Sequence, residues 1–299
     1  MRFSIILAIT FILSACSQPE ANQTPAAEAM PMAETTAPAT NELSAILAAQ
    51  PEAVQARYVY RHPEETLNFF GIKPGMTVVE ALPGGGWYSK LLLPHLGADG
   101  QLVGVNYPQA VWPLFGFFSE ERIAQLATWT TDWQAGAQEW RGENAASVSA
   151  FEFGKTPEDL SGTADAVLFI RALHNLARFE DQGGFLTTAI TDSYNVLKPG
   201  GIVGVVQHHA PDTASDEWAN GSRGYLKEGF VIAQMQAAGF EFVASSDVNA
   251  NSKDQPAAED IVWRLPPSLR GAKDNAELTA KMLAIGESNR MTLKFKKPL

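Results

Sequence analysis

The sequence predicts an α/β protein built on a mainly parallel sheet that helices cover on both faces. Short runs of β-branched and apolar residues alternate along the chain with longer segments of helical period, and this alternation is typical of parallel sheets. A glycine-rich loop at residues 83–86 separates the first of these runs from a helix. Strand, glycine loop, helix and strand together predict a βαβ unit with a right-handed crossover.

Each element follows from its local pattern, starting with helices near residue 41. Leu43 and Leu47 lie one helical turn apart, and Pro63 suits the first position of a second helix that Gly71 ends. Later helices are predicted at 87–96, 185–197 and 226–238. Strands are predicted at 77–81, 102–105, 148–153, 166–170, 202–207, 240–243 and 291–297.

Two long connections interrupt this pattern. Residues 107–147 include Trp129, Trp133 and Trp140 on one helical face. These aromatic residues either pack an added pair of helices onto the core or form a wall over an apolar substrate, in which case Trp112 is a candidate substrate contact. Residues 249–289 form a second insertion, whose Asp254, Glu259, Asp260, Trp263 and Arg270 suggest no chemistry.

Composition excludes several classes of function. The 299 residues include 22 Lys and Arg against 33 Asp and Glu, a net charge of −11. Nucleic acid is therefore not an expected partner, because binding to its phosphates requires basic patches. Cys16 is the single cysteine, which excludes an intramolecular disulfide and a zinc site built from paired cysteines.

The N-terminus predicts export. A positive start precedes an apolar run at 3–13, which is too short to span a bilayer but suits a secretory signal over residues 1–15. The sequence Leu-Ser-Ala-Cys at 13–16 resembles the lipobox of bacterial lipoproteins. That resemblance implies cleavage before Cys16 and its lipidation, and Ser17 in the next position implies an outer-membrane location facing the periplasm. The alternative is an ordinary signal peptide with a chance cysteine.

Residues 16–40 are predicted to be a disordered tether, because the segment after Cys16 contains no aromatic residue and no Val, Ile or Leu. The membrane is expected to be a partner through the lipid anchor alone, since the chain is acidic. Residues 41–299 form the folded domain.

Four segments of that domain, at 77–86, 102–106, 165–170 and 195–201, resemble the class I S-adenosylmethionine (SAM) dependent methyltransferases. The Leu-Lys-Pro-Gly-Gly sequence at 197–201 is the most specific of them. The loop at 83–88 and the sequence Arg-His-Pro at 61–63 further resemble exported, methyltransferase-like proteins of Proteobacteria. The resemblance implies a Rossmann-like, doubly wound, seven-stranded sheet with an antiparallel last strand, and SAM as the cofactor.

The glycine loop is the candidate cofactor site. Only glycine removes the Cβ atom and allows backbone to approach a ligand closely. Consecutive glycines after a proline favour SAM over a dinucleotide, which prefers the spacing G-x-G-x-x-G; an NAD-linked enzyme and a purely structural glycine turn remain alternatives. A carboxylate at the end of the first strand can meet the ammonium group of SAM. The candidate cofactor-binding residues are Glu80, Pro83, Gly84, Gly85, Gly86 and Asn106.

The loop departs from the family pattern at two positions. Leu82 stands where the first loop glycine is often found. Asn106 stands where an acidic residue usually accepts both ribose hydroxyls. An amide offers one acceptor oxygen and loses a charge-assisted hydrogen bond of about 1.5–3 kcal/mol, so the affinity for SAM is expected to be about ten- to a hundredfold lower.

Candidate substrate residues follow the fourth and fifth strands. His174 and His208 are the candidate catalytic bases, because histidine titrates near neutrality and accepts protons from hydroxyl or amine nucleophiles. His209 is not expected to share a pocket with His208, since adjacent strand residues point to opposite faces. Alternatively, the histidines are structural, or His174 and one of the pair bind a metal with Asp212. The candidate substrate contacts are Arg171, Asn175, His209 and Trp112.

The sequence therefore predicts a SAM-dependent methyltransferase acting on a small-molecule acceptor that the sequence does not identify. The alternative is an inactive methyltransferase fold that serves the cell envelope as a ligand-binding or scaffold protein, because a fold does not fix a function.

Overall fold

The computed structural model describes residues 42–299 of the chain. The predicted signal at 1–15 and the tether at 16–40, with Cys16, lie outside the described residues. Within residues 42–299, no helix has the length and apolar character needed to cross a membrane.

Seven strands form one sheet in the order β3-β2-β1-β4-β5-β7-β6. The first five strands pair in parallel, and β7 runs antiparallel to both of its neighbours. This is the Rossmann-like α/β sheet with an antiparallel last strand that the sequence predicts. The strands are β1 (Thr77–Ala81), β2 (Gln101–Asn106), β3 (Ser147–Glu152), β4 (Ala164–Ile170), β5 (Leu197–His208), β6 (Glu241–Ser246) and β7 (Arg290–Lys296).

Helices cover both faces of the sheet. The helices before β1 are α1 (Glu42–Ala48), α2 (Glu52–Gln55), α3 (Tyr58–Arg61) and α4 (Pro63–Phe70). The later helices are α5 (Ser89–Leu96), α6 (Glu120–Leu126), α7 (Trp129–Trp140), α8 (Leu173–Arg178), α9 (Phe185–Val196), α10 (Glu228–Ala237) and α11 (Ala276–Ile285).

The alternation of side chains along β1 divides the core into two layers. Val79 and Ala81 face a cluster that includes apolar residues of α8, α9 and α10. Val78 faces the opposite cluster, which includes apolar residues of α1, α4, α5 and α7. Burial of strands on both faces explains why the strand segments are almost continuously apolar in sequence.

The connection between β2 and β3 contains a short 3-10 helix (Gln109–Phe115) followed by α6 and α7. Trp133 of α7 packs on Gly104 of β2, where a Cβ atom would lie 2.8 Å from the indole ring. This glycine therefore allows α7 to approach the sheet closely. The predicted helix through Trp129, Trp133 and Trp140 is confirmed.

The connection between β6 and β7 contains a 3-10 helix (Val262–Arg264) and α11. Asp254 anchors it from a fully buried position. The Asp254 carboxylate accepts hydrogen bonds from the Tyr225 hydroxyl, the Arg264 guanidinium and the backbone N–H of Asn289. These contacts hold the connection against the carboxyl edge of the sheet.

Candidate functional site

A cavity of about 830 Å³ opens at the carboxyl edge of the sheet. Ligands of α/β proteins bind at this edge, and the volume is within the usual range for small-molecule sites. The glycine loop forms one side of the cavity, together with Asn106 from the end of β2. The ends of β4 and β5 and both long connections complete the walls.

The glycine loop presents open backbone to this cavity. Gly84 and Gly85 are exposed and line it with Pro83, and a Cβ atom on Gly85 would meet nothing within 4 Å. Gly86 has φ +74° and does not line the cavity, because the Trp140 ring covers it. Two of the three glycines are thus open to a ligand, and the third packs against Trp140.

Leu82 adopts φ +54°, a left-handed conformation that is unusual for a residue with a branched side chain. It occupies the position where the family resemblance implies a glycine. The chain therefore keeps the backbone path of a glycine turn although the residue differs, and the Leu82 side chain lines the cavity.

Glu80 does not line the cavity. Its carboxylate is buried and accepts a 2.6 Å hydrogen bond from the Ser89 hydroxyl at the start of α5. Burial raises the pKa of Glu80 to about 7. The structure thus places Glu80 behind the glycine loop, where it links β1 to α5.

The end of β2 brings polar groups to the cavity. Asn106 is buried there, at the position predicted for a ribose contact. The Asn175 amide nitrogen donates a 3.0 Å hydrogen bond to the Tyr107 hydroxyl. Among the described residues, the Asn175 Oδ1 and the Trp112 Nε1 have no hydrogen-bond partner although both atoms are buried. Both residues line the cavity and have polar atoms free for a ligand.

His174 of α8 and His208 of β5 meet in the cavity wall, with ring centroids 5.4 Å apart. The His208 Nδ1 lies 2.6 Å from the Ser288 hydroxyl, and the His174 Nδ1 lies 3.4 Å from the Gln207 side-chain oxygen. Burial lowers the pKa of His174 to about 4 and holds the pKa of His208 well below its usual value. Both rings are therefore neutral at neutral pH.

His209 points away from this pair, as strand alternation predicts, and does not line the cavity, so the prediction of His209 as a substrate contact is wrong for this cavity. Its Nε2 lies 4.0 Å from the Asp212 carboxylate. Across residues 42–299, no group of three or more His, Cys, Asp or Glu side chains is arranged to hold a metal. The alternative metal site from His174, one of the paired histidines and Asp212 is not assembled among the described residues.

A cluster of arginines around one carboxylate forms part of the cavity wall; we name it the arginine cluster. Arg57, Arg61 and Arg171 line the cavity with Glu287. The Arg57 Nε donates a 2.8 Å hydrogen bond to Glu287, and the Arg61 Nε donates one of 3.1 Å. An Arg171 Nη atom lies 4.0 Å from the same carboxylate.

Sequence reasoning identified Arg171 but missed Arg57 and Glu287 as site residues. Arg57 and Glu287 are separated by 230 positions, so no local pattern joins them. It also missed the contribution of the second connection, from which Val262, Trp263, Leu265, Pro266, Pro267, Ser268 and Ser288 line the cavity.

The first connection serves both purposes that its aromatic residues suggest. Trp112, Phe118 and Trp129 line the cavity. Trp133 is buried in the core, and Trp140 covers Gly86. One stretch of sequence thus supplies both core packing and an aromatic wall.

Comparisons with known proteins concern the fold. No model of a known protein family matches the chain, and no curated protein matches it. Solved structures similar to it include a SAM-dependent methyltransferase from Aquifex aeolicus, with 18% identity over 69% of this chain and 93% of that chain and a TM-score of 0.45.

Two further similar structures have different descriptions. An arsenic(III) SAM methyltransferase from Chlamydomonas reinhardtii shares 13% identity over 86% of this chain and 73% of that chain, with a TM-score of 0.43. The [4+2]-cyclase SpnF shares 17% identity over 80% of both chains, with a TM-score of 0.48. The neighbours thus include SAM-dependent methyltransferases, and the likeness describes the fold alone.

Proposed function

We propose that the protein is a class I SAM-dependent methyltransferase that acts on a small-molecule acceptor. One observation supports this above all: a single cavity joins the open glycine loop and Asn106 to the His174–His208 pair. The first set suits a cofactor and the second suits an acceptor. Transfer of a methyl group from a sulfonium requires chiefly that the two reactants be held in line.

The residues of the loop fit SAM. Gly84 and Gly85 leave room for a ligand to lie against their backbone. The Asn106 side-chain oxygen is suited to accept a hydrogen bond from one ribose hydroxyl. Glu80 supports the loop from behind through Ser89. SAM, when bound, supplies an electrophilic methyl group on its sulfonium.

The histidine pair suits proton removal from the acceptor. A neutral imidazole accepts a proton, and burial keeps His174 neutral above about pH 5 because it lowers the pKa to about 4. The Ser288 hydroxyl orients His208 through its Nδ1 atom. We assign these two histidines the task of taking the proton from a hydroxyl or amine during methyl transfer.

Calorimetry with SAM and S-adenosylhomocysteine tests the cofactor assignment. Gly85→Trp is expected to abolish binding, because the indole fills the space that faces the loop. Gly142→Trp is the matched control, since Gly142 is equally open to solvent but does not line the cavity. His174→Ala is expected to leave cofactor binding unchanged. Loss of binding in His174→Ala with retention in Gly85→Trp would refute the assignment.

A ligand-binding or scaffold role is the second candidate. It is favoured by Asn106 in place of an acid and by Trp140, which covers Gly86. The same calorimetry decides between the two functions. Absence of heat with both SAM and S-adenosylhomocysteine at millimolar concentration would contradict the methyltransferase and favour the second role.

We further propose that Cys16 is lipidated and anchors the protein in the bacterial outer membrane, facing the periplasm. The lipobox-like sequence supports this, and several acyl chains at about 0.8 kcal/mol per buried CH₂ suffice for stable anchoring. In a bacterial host, Cys16→Ser is expected to abolish labelling by a fatty-acid analogue and to release the protein from membranes. Ser17→Asp is the control for sorting, since it preserves the cysteine. Equal labelling of Cys16→Ser and the unmodified chain would exclude the anchor.

A further inference from the structure

The arginine cluster contains more positive charge than its carboxylate balances. Glu287 also contacts a fourth guanidinium, that of Arg290, whose Nη1 lies 3.3 Å away. Arg290 is otherwise bound to backbone, because it donates hydrogen bonds to the carbonyls of Tyr60 and Ser288. Four guanidinium groups therefore surround one buried carboxylate.

Two of these guanidiniums have buried nitrogen atoms without a partner. Among the described residues, neither the Arg61 Nη1 nor the Arg171 Nε has a hydrogen-bond acceptor. Arg61 is only 3% exposed, so water does not readily replace the missing acceptor. A buried unpaired donor on a charged group is costly, and such an atom is expected to have a partner when the site is occupied.

The charge extends over the whole cavity. Arg57, Arg61, Lys90, Arg122 and Arg171 line it, whereas Glu287 is the single carboxylate among its described lining residues. The chain as a whole has a net charge of −11. The cavity is thus positive within an acidic protein, an arrangement that attracts anions into the cavity.

The backbone of Arg171 is also held in an unfavourable conformation. Its φ is +60°, and its N–H donates a 2.6 Å hydrogen bond to the Val206 carbonyl. Non-glycine residues in this region cost about 1–3 kcal/mol and are concentrated at functional sites. This left-handed conformation turns the chain directly after β4, where Arg171 forms part of the cavity wall.

We propose that the arginine cluster binds an anionic group, a carboxylate or a phosphate, of the methyl acceptor. Bidentate contacts from arginine suit both groups. The cluster adjoins the proposed acceptor side, because Glu287 is followed by Ser288, which contacts His208. The assignment of this anion to the acceptor rests on the proposed function, whereas the anion site itself does not.

The carboxylate of SAM is the other source of the same chemistry. Arg61 lies over the Trp87 ring, 4.4 Å from its centroid, next to the glycine loop. Separate measurements of anion and cofactor binding distinguish the two sources. An acceptor site predicts that variants of the cluster lose affinity for a free anion and retain affinity for S-adenosylhomocysteine.

Inorganic phosphate is the probe, titrated by calorimetry at constant ionic strength set with sodium chloride. Arg171→Gln is expected to weaken phosphate binding about tenfold or more, because it removes a charged hydrogen-bond donor. Arg270→Gln removes the same charge from an exposed position outside the cavity wall and is expected to change the affinity less than about twofold. Arg171→Lys is expected to restore part of the affinity.

Glu287→Gln is a second variant, for which we expect a gain of phosphate affinity and not a loss. Removing the competing carboxylate is expected to strengthen phosphate binding and to enlarge the increase in melting temperature that phosphate produces. Absence of phosphate binding to the unmodified chain, or equal losses in Arg171→Gln and Arg270→Gln, would overturn the anion site.

Cofactor binding supplies the last distinction. Phosphate is expected to tighten the binding of SAM more than that of S-adenosylhomocysteine, because only SAM brings a sulfonium charge into the positive cavity. A parallel loss of S-adenosylhomocysteine affinity in Arg171→Gln would assign the cluster to the cofactor and overturn our proposal. Phosphate binding without any cofactor binding would contradict the proposed function and leave the anion site established.

Discussion

Glu80 is the residue whose ionisation has the clearest consequence for stability. It is buried against α5 with the Ser89 hydroxyl as its hydrogen-bond partner. Burial raises its pKa from 4.5 to about 7 in the folded protein. The stabilisation associated with its proton is therefore complete below pH 4.5 and is lost as the pH rises through about 7.

This shift predicts a pH-dependent effect of Glu80→Gln. A glutamine keeps the shape and an acceptor for Ser89 but does not ionise, so the variant is expected to gain stability relative to the unmodified chain as the pH rises. The gain between pH 4.5 and pH 8 approaches about 3 kcal/mol, at 1.36 kcal/mol per pKa unit. Urea unfolding across this range measures it.

Glu241→Gln is the control for loss of a negative charge, because Glu241 is exposed on β6. Its unfolding free energy is expected to run parallel to that of the unmodified chain across the pH range, lower by less than about 1 kcal/mol, because the exposed ion pair it makes with Lys296 at 3.5 Å contributes little. If the Glu80→Gln curve also ran parallel to that of the unmodified chain, Glu80 would be ionised with an ordinary pKa in the folded state.

The predicted site residues differ in how far sequence alone could place them. Gly84 and Gly85 lie in the loop after β1, and Asn106 is the last residue of β2. They line the cavity because the carboxyl ends of these two parallel strands share one edge of the sheet. Glu80 lies within a strand, so its direction depends on which face β1 turns toward α5. Sequence reasoning had no means to choose that face, and it placed Glu80 in the ligand site.

At the scale of the elements, the strands were the most predictable part of the fold. All seven predicted strands are present, and β1 has the predicted bounds, 77–81. The apolar, β-branched runs succeed because strands buried on both faces admit few polar residues. The antiparallel direction of the last strand is implied by the family resemblance and not by the runs, since local patterns contain no information about pairing.

The start of β5 was not predictable from local sequence patterns. The sequence predicts a helix that ends at residue 197 and a strand that begins at residue 202, whereas the structure begins the strand at Leu197. Gly200 has φ +78°, and the pairing with β4 shifts between Ala164 and Ala166. The pairing of β5 with β4 is therefore irregular at its start, and the strand continues through residues that are typical of a turn.

The two connections illustrate the opposite case. Their helices were predictable in part, since the tryptophan spacing identifies α7, but their positions over the cavity were not. Trp129 lines the cavity and Trp133 packs in the core, although both lie on one helical face. Trp133 packs on Gly104 of β2, and only the assembled structure determines this contact.

For the whole molecule, the connection at 249–289 both forms part of the cavity wall and contains a buried ion pair that stabilises the fold. It contributes Trp263 and Glu287 to the cavity and is fixed by Asp254, whose side chain is completely buried. Arg264 contacts both Asp254 at 2.7 Å and Asp260 at 3.2 Å. The first pair is buried, whereas the Asp260 side chain is 30% exposed.

Asp254→Asn is therefore expected to destabilise the protein by about 3 kcal/mol or more, because a neutral amide replaces the buried carboxylate that pairs with the Arg264 guanidinium. Asp260→Asn removes a carboxylate from the same arginine but is expected to cost less, about 1 kcal/mol, because the Asp260 side chain is partly exposed and water can solvate it. Urea unfolding gives both values, and hydrogen exchange localises them. Faster exchange confined to residues 249–289 in Asp254→Asn would show that this carboxylate holds the cavity wall in place, whereas equal losses in both variants would show that its burial contributes nothing.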